Sequence, residues 1–264
     1  MTASVESEKV KAAVRETYGR IATEQRSSGC CGTTGCCGPG TPSTSDALGY
    51  SDEERQSAPD GADLGLGCGN PQAIAELQPG ERVLDLGSGA GFDAFLAARQ
   101  VGETGSVIGV DMTPEMITKA RANIGKTDLR NVQFRLGEIE HLPVGDASVD
   151  VIMSNCVINL STDKPAVFRD AFRVLAPGGR VAISDIVAIR AIPRVVRNNL
   201  ESYAGCVSGA ALVPEVEAML AAAGFADIRV ELKSNSASLV EGWSPGAETL
   251  VASALIRARK PADR

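Results

Sequence analysis

From Glu81 onward the chain alternates short apolar runs with amphipathic stretches, and this alternation sets the expected architecture. RVLDLG (82–87), SVIGVD (106–111), Val132–Leu136, VDVIMSN (149–155) and RVAISDIV (180–187) are apolar runs of strand length, and they read as buried strands. Between them, Phe92–Val101, Thr113–Ile124 and Lys164–Leu175 carry helical spacing. Thr113 stands at the N-cap position of the second helix with Pro114 in its first turn, a common helix start. The third helix is expected to stop at PGG (177–179). Strands alternating with helices predict parallel βαβ units, hence an α/β, Rossmann-like, doubly wound and mostly parallel sheet.

The flanks differ. Residues 3–26 space Val10, Ala13, Val14, Thr17 and Ile21 as a helix does. Residues 27–46 are Gly, Ser, Thr, Pro and Cys and read as a loop. Residues 47–70 read as irregular, with a short charged helix at Asp52–Gln56. The Gly-rich turn GADLGLGCGNP (61–71) leads to a short helix at Gln72–Leu77. After the fifth strand come helical patterns at 193–204 and 214–223, then strands DIRVEL (227–232) and TLVASALIRA (249–258). The pattern divides the chain into an N-terminal helix and Cys-rich loop (1–70), a central ligand-binding domain (71–190) and peripheral elements with the final strands (191–264).

DLGSGAG (85–91) follows the first strand and opens a helix. Such a turn lets a ligand approach the helix N-terminus. Its glycines, Gly87, Gly89 and Gly91, give G-x-G-x-G rather than the G-x-G-x-x-G of a dinucleotide site. Asp85 precedes the first glycine. An acid there would repel a pyrophosphate but suits the cationic sulfonium and amino group of S-adenosylmethionine, so the loop is read as a site for that cofactor. Asp111 ends the second strand, where an acid takes ribose hydroxyls. GEIEHLP (137–143) follows the third strand and is expected to face the adenine, with Glu138 or the backbone at Ile139 binding its exocyclic amine. Glu140 and His141 read as surface residues of that loop. Ser88, Met112 and Asn155 complete the candidate cofactor set. LGLGCG (64–69) resembles a nucleotide loop too, but no strand pattern precedes it and Pro71 follows, so its glycines are read as shaping a loop that presents Cys68.

Composition narrows the acceptor. The 264 residues carry 26 basic against 33 acidic side chains, net −7, with no basic run. Nothing there is built for a phosphate backbone, so nucleic acid is not an expected partner. No apolar run reaches the length of a membrane span, and the charged N-terminus lacks a signal-peptide pattern. The expectation is a soluble cytoplasmic protein without a membrane partner. Seven cysteines in a reducing compartment point to metal binding, redox chemistry or catalysis. The single histidine, His141, argues against a mixed Cys/His centre.

Three cysteines stand alone, each in a strand-end or Gly-rich loop: Cys68, Cys156 and Cys206. In open α/β sheets ligands bind beyond the carboxyl ends of the strands, where strand order reverses. With order 3-2-1-4-5 that crevice lies between the first and fourth strands. The first leads into the glycine loop and the fourth into Cys156, so a thiol should sit beside the reactive methyl. A lone buried cysteine is commonly a small hydrophobe. Three in separate loops read as a ligand set for a soft centre, which thiolates select.

The stretches DLGSGAGFD, SNCVINLSTDK, RVLAPGGRVAISDIV and YAGCVSGA, with LGLGCGNP upstream, resemble the arsenite methyltransferases from about residue 60 to 260. The resemblance implies a Rossmann-like class I methyltransferase fold. It also implies methyl transfer from S-adenosylmethionine to trivalent arsenic in arsenic detoxification. Cys156 and Cys206 become a substrate-binding pair, with Cys68 the third thiol and redox partner. Glutathione or thioredoxin is implied as the thiol that supplies arsenite conjugates or reducing power. The cluster Cys30, Cys31, Cys36 and Cys37 has three readings: delivery of arsenite, a disulfide with Cys68 during turnover, or a zinc site. Adjacent pairs make a poor tetrahedral cage, which favours a metalloid-capturing or redox loop. Two further functions stay open: methyl transfer to a small organic acceptor, with the cysteines as packing, and metalloid binding without turnover.

Overall fold

The computed structural model describes residues 2–24, 44–197, 203, 206–240 and 246–262. Helices α1 (Thr2–Thr23), α2 (Thr44–Leu48), α3 (Asp52–Ser57) and α4 (Gln72–Ala75) precede the sheet. There follow β1 (Arg82–Leu86), α5 (Phe92–Val101), β2 (Ser106–Asp111), α6 (Pro114–Ile124), β3 (Val132–Leu136) and β4 (Val149–Asn155). Then come α7 (Lys164–Val174), β5 (Leu175–Ala188), α8 (Arg194–Arg197), α9 (Val213–Ala223), β6 (Ala226–Leu232), α10 (Ser236–Val240) and β7 (Val251–Arg259). One seven-stranded sheet has the order β3-β2-β1-β4-β5-β7-β6. β1 to β5 run parallel, and β7 enters antiparallel between β5 and β6. The order reverses between β1 and β4, as the alternation predicts.

The sheet is filled on both faces. Leu84, Leu86, Ile152 and Ile183 pack with Phe168 and Val174 of α7 and Leu220 of α9. On the other face Val83, Val107, Val151 and Met153 pack against Phe95 and Ala98 of α5 and Ile117 of α6. Burying each such side chain contributes roughly 1.5–3 kcal/mol, which explains why these strands are continuous apolar runs. Among the described residues no helix is long and apolar enough to cross a membrane.

Four local readings change. The helix expected to reach Leu175 ends at Val174. Leu175 is already extended (ψ 135°), fully buried and paired with Val149. PGG, expected to stop the helix ahead of a strand at 180–187, therefore lies inside β5, at a register break between Val149 and Val151. Thr113 occupies the N-cap of α6 without a side-chain cap; instead Asp111 Oδ1 accepts from the Thr113 N–H at 2.8 Å. Thr44–Leu48 is helical although the loop was expected to run to residue 46. Of the pattern at 193–204, only Arg194–Arg197 and Tyr203 are helical within the described residues.

α1 crosses above the carboxyl ends of the strands. Its Val14 is buried, in a cluster that also contains Cys68, Cys156, Cys206 and Ile186, and Val10 and Tyr18 pack against that cluster. Lys11 and Arg15 on the same helix meet Glu138 at 2.7 and 2.8 Å. A third core thus forms beyond the end of β4 and beside β5 and β7, covered by α1.

Candidate active site

β1 ends in the glycine turn because Asp85 and Leu86 complete the buried strand and Gly87 takes a left-handed φ of +68°. The turn lines a cavity of about 490 Å³ beyond the strand ends. Asp85, Gly87, Ser88, Gly89, Asp111, Met112, Ile139 and Asn155 all line it. Gly91 does not. It sits behind the turn at φ +98°, where a Cβ would come within 2.6 Å of the Phe134 ring. Its role is helix entry and close packing.

The cavity is acidic at one end. Asp111 is mostly buried; its Oδ2 accepts from the Gly89 N–H at 2.9 Å, pinning the glycine turn to β2. Burial pushes its carboxyl above the ordinary range. Asp85 is almost fully buried and its Oδ2 has no hydrogen-bond partner. Burial, with Asp93 and Asp111 as like charges, raises it well above the usual carboxylate range. An unpartnered buried acid is costly and is relieved by a cation, so the donor set fits an ammonium-bearing sulfonium ligand.

Glu138 lies aside from the cavity. Lys11 and Arg15 neutralise it, and the Lys11 hydrogen bond holds its carboxyl below the usual value. Ile139 is buried on the cavity wall. Glu140, expected at the surface, is buried against the cavity and accepts from Ser161 Oγ at 2.7 Å. Ile139 and Glu140 both turn inward, while His141 stays exposed.

At the other end stand the thiols. Cys156 and Cys206 line the cavity, while Cys68 is fully buried behind its wall. All three are unbridged. The Sγ atoms of Cys68 and Cys156 and a carboxylate oxygen of Asp185 lie within 4.8 Å of one another. Cys206 Sγ donates to the Cys156 carbonyl at 3.4 Å. Cys156 is pushed well above the ordinary thiol value by its hydrogen bonds with Cys206 and Cys68, and then by burial. Burial raises Cys68 as well. Cys156 and Cys206 both hold left-handed backbones, φ +58° and +62°. Such strain in non-glycine residues costs about 1–3 kcal/mol each and persists where the surroundings over-determine it. Here the Cys156 N–H is fixed on Ser184 O and the Cys206 N–H on Tyr203 O.

Some of this site carries no motif. Asp185 is buried beneath the thiols, accepts from the Ile158, Asn159 and Ile186 N–H groups, and is pushed up to about 6 by burial. Lys164, half-buried, is pulled down to about 8 by desolvation and donates to the Asn159 and Ser161 carbonyls. Asn159 in turn donates to the Cys206 carbonyl at 2.9 Å. Tyr18 and Lys11 of α1 line the cavity. The amphipathic stripe predicts that α1 packs somewhere, but not on what. Cys30, Cys31, Cys36 and Cys37 lie outside the described residues.

With this geometry in view, a methyltransferase domain family matches residues 77–224. An arsenite methyltransferase from Halobacterium salinarum is 51% identical over 99% of this chain and 69% of its own length. One from Aquipseudomonas alcaligenes is 43% identical over 62% of this chain and 49% of its own, so the chain spans about half the length of that relative. The solved structure of an arsenic(III) S-adenosylmethionine methyltransferase from Chlamydomonas reinhardtii matches with a TM-score of 0.65 at 34% identity, over 83% of this chain and 74% of that one. On sequence and fold together, the chain belongs to the arsenite methyltransferase family.

Proposed function

We propose that the chain transfers methyl groups from S-adenosylmethionine to trivalent arsenic held by Cys68, Cys156 and Cys206. The observation that carries this reading is one cavity with a buried acid, Asp85, whose Oδ2 is unpartnered, at one end and the thiols of Cys156 and Cys206 at the other. Asp85 would hold the amino group, Asp111 the ribose, and Met112 and the Ile139 backbone the adenine side. Bound there, the cofactor would supply an electrophilic methyl.

The thiols do the acceptor's work. Each protonated cysteine displaces one hydroxyl of arsenite, its proton leaves on that hydroxyl as water, and an As–S bond forms. The raised thiols of Cys68 and Cys156 are therefore no obstacle, since no free thiolate need accumulate. A pyramidal three-thiolate arsenic keeps its lone pair, and fixing that lone pair toward the cavity is a matter of positioning. No general base is required. A thiol reductant, glutathione or thioredoxin, belongs to this reading as carrier of arsenite conjugates or source of electrons. Arsenic detoxification in the cytoplasm is the setting proposed. The loop of Cys30, Cys31, Cys36 and Cys37 is assigned to metalloid capture or redox exchange.

The test is formation of S-adenosylhomocysteine in the presence of thiol, with and without arsenite. Turnover that depends on arsenite supports the proposal. Equal turnover without arsenite, or none with it, contradicts it.

A further inference from the structure

Asn155 is the last residue of β4 and the immediate neighbour of Cys156. It lines the cavity, yet its amide is occupied by the protein on both sides. Its Oδ1 accepts from the Cys68 N–H at 3.0 Å. Its Nδ2 donates to the Gly69 carbonyl at 2.7 Å and to Tyr50 Oη at 3.0 Å, with a longer contact to Asp93 Oδ2 at 3.3 Å. Tyr50 Oη donates to Asp93 Oδ1 at 2.7 Å, and Gln72 Nε2 fixes the Asp93 carbonyl at 2.6 Å. The amide is thereby anchored on α5 and grips the loop that bears Cys68.

Gly67 makes this grip possible. Its φ is +126°, and a Cβ there would stand 2.8 Å from both Nδ2 and Oδ1 of Asn155. On the far side of Cys68, Ser253 Oγ of β7 donates to the Cys68 carbonyl at 2.8 Å. The Cys68 peptide is thus held from both ends, once by β7 and once by the residue that precedes Cys156. Asn155 thus ties the backbone of Cys68 to the strand end that carries Cys156.

We propose that Asn155 is a positioning residue that sets Cys68 against Cys156, so that arsenic meets three sulfurs rather than two. This rests on the reading of Cys68 as the third arsenic ligand. It assigns the Asn155 amide to the acceptor site rather than to the cofactor. Residues that orient ligand side chains are worth about 10–100-fold in affinity when removed, and the same scale is expected here.

The experiment uses full-length protein with Cys30, Cys31, Cys36 and Cys37 replaced by serine, so that only three sulfurs can answer. Arsenite is added, and the sulfur number per arsenic is read from X-ray absorption, alongside arsenite and S-adenosylhomocysteine affinities. The parent is expected to show three sulfurs. Asn155→Ala is expected to show two, with arsenite affinity lower by about 10–100-fold and S-adenosylhomocysteine affinity unchanged. Tyr50→Phe keeps the ring packed on Phe92 and removes the hydroxyl link to Asp93 and Asn155. It is expected to weaken arsenite binding in the same direction by less, which covers the case of an Asn155→Ala protein that does not fold. Three sulfurs and parental arsenite affinity in either variant would overturn the proposal, as would a loss confined to S-adenosylhomocysteine. A parent with fewer than three sulfurs overturns the reading of Cys68 itself.

Discussion

At the scale of single residues, the two ends of the cavity make opposite demands on charge. Asp85 is buried with an unpartnered oxygen, so it costs the protein stability until a cation arrives. Asp85→Asn should therefore raise the melting temperature of the free protein while weakening S-adenosylmethionine binding by at least about tenfold, the loss of a charge-assisted hydrogen bond. Differential scanning fluorimetry and calorimetric titration check both parts. Cys156 and Cys206 are expected to behave in the reverse sense. Serine at either position should leave S-adenosylhomocysteine binding intact and reduce methyl transfer to background, because a hydroxyl is a poor ligand for a soft centre. A further outcome follows from the raised thiol of Cys156. If thiol protons leave on arsenite hydroxyls as water, calorimetry in buffers of different ionisation enthalpy should find no net proton release on arsenite binding at pH 7.

Among the secondary-structure elements, α1 is the one that separates a bare methyltransferase sheet from this site. It is joined to the loop after β3 by Lys11 and Arg15 on Glu138, with Lys11 3.8 Å from Glu140. Lys11→Glu turns that contact into repulsion among like charges. Hydrogen exchange should then accelerate along α1 and around Cys206 while the strands keep their protection, and added salt should partly reverse the effect. α1 was legible as an amphipathic helix from Val10, Ala13, Val14, Thr17 and Ile21, but no spacing says which cleft an amphipathic face will cover. β1 and β4 were legible almost to the residue because their positions are largely buried on both faces and rich in apolar residues, as at Val151–Met153. β5 was not, since a buried leucine continues a helical pattern as readily as it begins a strand. Asp85, Asp111 and the thiols announced themselves by type and position. Asp185, Lys164 and the Tyr50–Asp93–Asn155 chain did not, because their meaning arises only from contacts between distant segments.

For the molecule as a whole, buried acids give an uncommon pH dependence. Burial pushes Asp93 from its ordinary value up to about 6. The unfolded chain holds that proton only below about pH 4, so between those values the folded state binds more protons and stability rises as pH falls. Above pH 6 the charged carboxylate costs the fold on the order of 3 kcal/mol. Asp93→Asn cannot titrate. Relative to that variant, the wild type should gain stability in urea between pH 7 and pH 5, and a constant difference would contradict the assignment. The same economy of burial organises the described residues: apolar packing on both faces holds a mostly parallel sheet, and the polar and thiol groups gather beyond the carboxyl ends of its parallel strands.

The central claim is that one cavity joins a methyl donor to arsenic held by cysteine. Its most direct test is product speciation after incubating the protein with arsenite, a thiol and S-adenosylmethionine labelled in the methyl group. The account predicts the label in methylated arsenicals, absent when Cys156 is serine. Label recovered in any other acceptor, or methylated arsenic formed equally well by Cys156→Ser, would contradict it.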